Sequence, residues 1–317
     1  MKKFIITIDT EGDNLWRWKP GDAVTAENAR FLQRFQNQCD RYGFKPTYLT
    51  NYEMASSKVF VDFAKKALKN NSCSIGMHLH AWNSPPLVEL TNQLQVPAAP
   101  YLIEYSDEIM EEKIAFMTQY LADVFEMPIL SHRAGRWAMD ERYFSLLKKY
   151  GYTVDCSVTP GINWCSNTGA TEGSMGSDYS HFPTKPYFVF EDRDLLEVPV
   201  TLYSTKRPFF ADGATLKEKV KQLYRGIRGR TVWLRPTGAN VNQMLWMIHK
   251  AAKDKDMDYI MFMLHSSEFM PGGSPTFKTE EDIEKLYRDL GVIFDAASKH
   301  FEGETIERYA EDIKGRI

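Results

Sequence analysis

Short apolar runs alternate with stretches of helical spacing along this chain, and that alternation constrains its fold more than any other feature. Lys3–Asp9 reads as a buried strand. From Thr25 a helix carries Phe31, Phe35, Cys39 and Tyr42 on one stripe and stops at Gly43. Pro46–Thr50 is a second strand, Lys58–Leu68 a helix, and Ser74–His78 a third strand. A turn at Ser84–Pro86 and the Pro97–Pro100 stretch then make a longer loop. Ser106 caps a helix in which Met110, Ile114, Met117, Leu121 and Val124 recur. Pro128–Arg133 returns as a strand, Glu141–Tyr150 as a helix and Thr153–Ser157 as a strand. Leu195–Thr201, Thr231–Leu234 and Tyr259–Leu264 supply three more, and Thr279 caps a late helix with an acidic first turn. This pattern predicts an α/β chain of seven or eight βα units in one barrel-like domain over 1–317. The exception is a long insertion at about 160–192, rich in Gly, Ser, Asn and aromatics; insertions of that length usually serve as lids or substrate walls.

A chain of 317 residues suits one large barrel or two ordinary domains. With 43% hydrophobic and 26% charged residues it has the mix of a globular protein in water. A net charge of −3 offers no ground for nucleic acid or an anionic membrane as partner. The N-terminal MKKFIITID has the lysines of a signal peptide. Its apolar run is only five residues long and ends in Asp9, so an exported leader is not expected. Nothing later approaches a membrane span. Cys39, Cys73, Cys156 and Cys165 lack CxxC spacing and read as reduced structural thiols, which suits the cytoplasm.

The chemistry sits where the apolar runs end. Asp9 and Glu11 close the first, His78 and His80 a later one, and His265 the last. In parallel α/β folds the carboxyl ends of the strands converge on one face. Residues two apart on a strand share a side, so Asp9 and Glu11 can face one cavity, as can His78 and His80. A carboxylate with two imidazoles is a common set for zinc and its neighbours. Taken singly, each pair is equally at home where a strand meets water. Arg133, in SHRAGRW, can clamp a carboxylate bidentately or make a surface ion pair of little consequence. Asp155 ends TVD as a functional or a turn aspartate. His132 alternates away from Arg133, while His249 and His300 lie beside lysines and read as solvated. Trp82, Trp137 and Trp164 follow strands and suit either sugar stacking or rim packing.

Taken in order, TIDTEGD, IGMHLHAWNSPP, HRAGRW, DCSVTPG and MLHSSEF resemble the motif blocks of the polysaccharide deacetylase family (carbohydrate esterase family 4, NodB-homology domain), most of all its cytoplasmic bacterial branch. The resemblance runs from about Lys3 to beyond Phe277 and implies a distorted barrel of about seven strands. It makes Asp9 the general base, Glu11 and His78 metal ligands, and Arg133 the tether of Asp9. Asp155 would support His265 as general acid. The family's second histidine falls four positions on; here His80 falls two on, with Trp82 at the fourth. The third ligand implied is therefore His80, with Asp13 the fallback. Trp82, Arg136 and Trp137 would meet the substrate. The implied reaction is metal-dependent removal of an N-acetyl group from a carbohydrate. Zinc is the first choice of cofactor; cobalt, nickel and iron suit the same donors. Other readings are a small-molecule amide or ureide hydrolase on the same fold, and a catalytically silent carbohydrate-binding or biosynthetic accessory protein. A cytoplasmic enzyme would act on a nucleotide- or lipid-linked sugar precursor in preference to finished polymer.

Overall fold

The structure is a computed structural model that describes all residues except 14, 17, 20, 21, 88–98, 211–214 and 317. Of the loop expected after the third strand, the Pro97 end lies outside the described residues. Eleven strands are described: β1 (Lys2–Thr10), β2 (Pro46–Thr50), β3 (Ser74–Leu79), β4 (Ser131–Ala134), β5 (Val154–Asp155), β6 (Tyr187–Phe188), β7 (Leu196–Glu197), β8 (Leu202–Thr205), β9 (Arg230–Trp233), β10 (Tyr259–His265) and β11 (Phe301–Glu304). Nine of them form one sheet in the order β10-β1-β2-β3-β4-β5-β7-β6, with β11 also pairing β1. Only the β6–β7 pairing is antiparallel. The sheet curls into a half-barrel with helices outside, an incomplete form of the barrel that the strand–helix alternation implies and the distorted barrel that the resemblance implies.

Both faces of the sheet are buried, which is why its strands read as nearly unbroken apolar runs. Phe4, Ile6 and Ile8 of β1 pack outward among the helices. Ile5 packs inward with Leu49, Val154, Leu196 and Met261. A helix over Ile306–Lys314 plugs the amino ends of the strands with Ile306, Tyr309 and Ile313. The carboxyl ends are left as the mouth. Between β7 and β10 the wall is completed by irregular chain. The Met261 amide donates to Thr201 Oγ1 (2.8 Å), and the Met263 amide donates to the Leu234 carbonyl (3.3 Å).

Several elements differ from expectation. The strand expected at Thr231–Leu234 pairs instead with β8, as a separate two-stranded antiparallel sheet. Those expected at Thr153–Ser157 and Leu195–Thr201 shrink to the two-residue β5 and β7. Around β5, backbone groups go to side chains: the Ser157 amide donates to Asp155 Oδ2 and the Val158 amide to Glu197 Oε1. The insertion is ordered by bridges Asn163↔Asp178 and Thr168↔Met175. Glu104 Oε2 anchors it, accepting from the amides of Ala170 and Thr171 and from Ser174 Oγ. Ser106 and Thr279 cap their helices as read. All four cysteines are unpaired, and three are buried. No helix among the described residues is long and apolar enough to cross a membrane.

Candidate metal and catalytic site

Strand register assembles the site. Asp9 on β1 stands opposite His265 on β10, and His78 on β3 opposite Arg133 on β4. Residues in register on parallel strands share a face, so these four converge inside the mouth. Glu11 and His80 lie two residues further along their chains and join them. His80 Nε2 is 3.2 Å and His78 Nε2 3.5 Å from Glu11 Oε2, and the two imidazole nitrogens are 2.8 Å apart. A tetrahedral cation with bonds near 2.1 Å spaces its ligand atoms roughly 3.4 Å apart, so this triangle fits one. His78 Nδ1–H donates to the Arg133 carbonyl (2.9 Å), which leaves Nε2, on the Glu11 side, as the atom that would bind a cation. Among the described residues this is the only group of three or more His, Cys, Asp or Glu side chains spaced for a metal ion.

The electrostatics suit a cation. Burial pushes the Glu11 carboxyl up, but the charge of His265 and hydrogen bonds from His78 and His80 hold it well below the usual range. Burial pushes His78 down, yet Asp9 and Glu11 outweigh it and the imidazole ends up raised. His80 is lowered, chiefly by burial. Trp82, at the position of the family's second histidine, braces His80 with its ring centroid 4.4 Å away. Asp13 is not a ligand. Its carboxylate accepts from Thr25 Oγ1, the amides of Glu27 and Asn28, and Asn28 Nδ2, so it caps the 3-10 turn over Glu27–Phe31.

Beside the triangle, Asp9 Oδ2 faces His265 Nε2 at 3.7 Å. Arg133 is fully buried, not a surface cation. It gives Nη1 to Asp9 Oδ1 (2.6 Å), Nη2 to Thr7 Oγ1 (2.9 Å) and Nε to the Cys156 carbonyl (3.1 Å). The grip on Asp9 is thus one-pronged, because the other prong is taken by the strand's preceding inward residue. Burial raises the Asp9 carboxyl, but Arg133 foremost and then His78 and His265 hold it below its ordinary value, so it is ionised at neutral pH.

Asp155 does not support His265. On β5 it stands in register with His132, whose side chain alternates to the opposite face from Arg133. Its carboxylate is bound there by His132 Nδ1 (2.6 Å) and Ser157 Oγ (2.9 Å), beneath the helix Glu141–Lys149. The partner of His265 is Glu268. Its Oε2 lies 3.1 Å from His265 Nδ1 and accepts the His265 amide at 2.9 Å. Arg235 Nη2 is 3.1 Å from both Glu268 Oε2 and His265 Nδ1. The consistent assignment lets the carboxylate accept from both, placing the proton on Nδ1 and aiming Nε2 at Asp9. Arg235 and Glu268 escaped the sequence reading, although Arg235 ends an apolar run (TVWLR) and Glu268 sits at capping distance from His265. Trp16 was missed too; its ring packs on His265 at 4.7 Å.

These groups line a cavity of about 630 Å³, within the range of small-molecule sites. Its walls are Trp16, Trp82, Tyr101, Arg136, Trp137 and Trp164. Arg136 and Trp137 adopt left-handed backbone (φ 55° and 62°), a strain of about 1–3 kcal/mol each that turns both residues onto the mouth. Gly135 allows this turn: a Cβ there would come within 2.6 Å of the Leu79 carbonyl and 2.8 Å of the His80 ring. Of the remaining histidines, His181, His249 and His300 are exposed.

No family model matches the chain, and no curated protein matches it in sequence. Solved structures do match in shape. A candidate glycoside hydrolase/deacetylase from Parabacteroides distasonis aligns over 99% of this chain and 71% of its own, with a TM-score of 0.61 and 10% identity. A candidate polysaccharide deacetylase from Mycobacterium smegmatis aligns over 99% and 91%, with a TM-score of 0.53 and 12% identity. PuuE allantoinase aligns over 99% and 90%, with a TM-score of 0.53 and 10% identity. At such identities the likeness is one of architecture: the chain shares the deformed βα barrel of these structures, deacetylase and allantoinase alike.

Proposed function

We propose that this protein is a metal-dependent hydrolase that removes an N-acetyl group from a carbohydrate. One observation carries the reading: Asp9 and His265 face each other across 3.7 Å, directly beside the Glu11–His78–His80 triangle. Those three residues would hold the cation, zinc by preference for two imidazoles and a carboxylate. When bound, such an ion polarises an acyl oxygen and lowers the pKa of water toward neutrality. Asp9, kept ionised by Arg133, takes a proton from the attacking water. His265 carries the acid role and gives its Nε2 proton to the departing amine, which leaves poorly unless protonated. Glu268 keeps the ring oriented and stabilises its positive form. Trp82, Trp137 and Arg136 at the rim suit a sugar ring, by stacking and hydrogen bonding. The ordered donor set, with His78 Nε2 on the Glu11 side, supports a working site over a silent binding protein. The test is acetate release from N-acetylglucosamine oligomers by zinc-loaded protein. Asp9→Asn and His265→Ala should both lose it, and near-native rates in both would end the reading.

A second reading, hydrolysis of a small cyclic amide or ureide, draws support from the insertion. Trp164 and residues 166–168 wall the cavity and limit its length. Assaying such amides in parallel separates the two.

A further inference from the structure

A second cavity of about 570 Å³ lies beside the mouth. Trp137, Trp164 and Arg235 line both cavities, so the two adjoin. Beyond that shared edge lie Trp233, Arg225 and Arg230. The Trp233 ring stands 6.0 Å from that of Trp137 and 6.4 Å from that of Trp164, an aromatic wall.

The arginines are unlike one another. Arg235 is held by Glu268. Arg225 is exposed, and no ion pair or hydrogen bond involves it among the described residues. Arg230 gives Nη1 to Gln222 Oε1 (2.6 Å), while its Nε and Nη2 are buried with no hydrogen-bond partner. Buried guanidinium donors left unpaired are costly, and an anionic ligand oxygen would remove that cost. The chain concentrates positive charge here. Nine Lys and Arg against two acidic residues fall between Lys206 and Arg235, in a protein whose net charge is −3. Of these nine, Arg225, Arg230 and Arg235 line the cavity, together with Glu268. A guanidinium pairs bidentately with phosphate oxygens, and two guanidiniums with unused donors in one cavity match a group of charge about −2 better than a single carboxylate.

We infer that this cavity binds a phosphate or diphosphate ester carried by the substrate, with the attached N-acetyl sugar reaching back to Asp9 and His265. The substrate is then a carrier-activated sugar, not a neutral polymer. This inference rests on the deacetylase reading for the sugar end only. Two carriers supply such an ester, a nucleotide and a lipid.

Calorimetric binding of UDP-N-acetylglucosamine, N-acetylglucosamine 1-phosphate and polyprenyl-diphosphate-linked N-acetylglucosamine in detergent tests it, against neutral N-acetylglucosamine. The phosphorylated ligands should bind at least about tenfold tighter than the neutral sugar. The preference should shrink as salt rises and fall about tenfold in Arg230→Gln. Arg225→Gln, at an exposed position, gives the same readout if Arg230→Gln does not fold. Equal binding of the neutral sugar, or an unchanged preference in both variants, overturns the subsite. The stronger of the nucleotide and lipid arms names the carrier. Acetate release is measured alongside. Release from neutral oligomers only would sink the subsite and leave the deacetylase reading standing. Arginine-dependent binding with no release from any ligand would do the reverse.

Discussion

Two clusters of histidine and carboxylate sit one residue apart on the same sheet. On the inner face are Asp9, Glu11, His78, His80 and His265, with Arg133. On the outer face are His132, Asp155, Ser157 and Glu197, with Tyr143. The residue types are nearly the same, and the surroundings are not. In the outer cluster every member is fully buried and tied to its neighbours: His132 is held by Asp155 on one nitrogen and by the Tyr143 hydroxyl on the other. Burial, with Asp155 beside it, pushes the Glu197 carboxyl well above its usual range. In the inner cluster Asp9 Oδ2 and the Nε2 atoms of His78, His80 and His265 face a cavity. A group can do chemistry only where it has an unused lone pair or proton within reach of a ligand; the outer cluster is sealed from any ligand and serves packing.

That contrast can be broken by experiment. The largest loss is expected at the inner face: Asp9→Asn or His265→Ala should lower kcat by about 10²–10⁴-fold, with zinc content retained in His265→Ala. A variant with a native rate at either position would place the chemistry elsewhere. Asp155→Ala on the outer face should instead cost about 3–5 kcal/mol of stability, because it leaves His132 Nδ1 and the Ser157 hydroxyl buried without an acceptor. Thermal unfolding should shift strongly while turnover per folded molecule holds. A collapse of turnover at unchanged stability would erase the distinction between the faces.

Smaller effects sharpen the inner site. Glu268→Gln should reduce kcat by about 10–100-fold with little change in KM or metal content, since it removes an orienting partner and not a reacting group. An equal loss in a conservative Asp155→Asn variant would restore Asp155 as the partner of His265. Metal affinity should depend on pH. The raised pKa of His78 means the metal-free protein holds a proton that a cation must displace. Because that folded-state pKa lies above the unfolded one, the proton's stabilising effect is full below about pH 6.5 and lost as pH rises through the raised value. Zinc binding should therefore tighten by up to about tenfold per pH unit as pH rises toward that raised value and level off above it, with proton release seen by calorimetry in buffers of different ionisation enthalpy. A flat profile would show that His78 is not a ligand.

Much of this was readable from local pattern. Apolar runs of β1, β3 and β10 mark strands, and a spacing of two puts Glu11 with Asp9 and His80 with His78 whatever the rest of the chain does. The same rule shows His132 turning away from Arg133. It could not place Asp155, whose side of the sheet depends on pairing with a strand more than twenty residues earlier. Nor could it separate Asp13 from Glu11, because the donors that saturate Asp13 come from the turn at Thr25–Asn28.

By itself, then, the amino-acid order determined which strands end in reactive groups and which side chains travel together, since alternation along a strand is a property of neighbouring residues. Tertiary structure alone decided that His265 answers to Glu268, that Arg235 and Trp16 belong to the mouth, and that a basic second cavity opens beside it. Those outcomes depend on register between distant strands and on the path of irregular loops, which are set by long-range packing and leave no periodic trace in sequence.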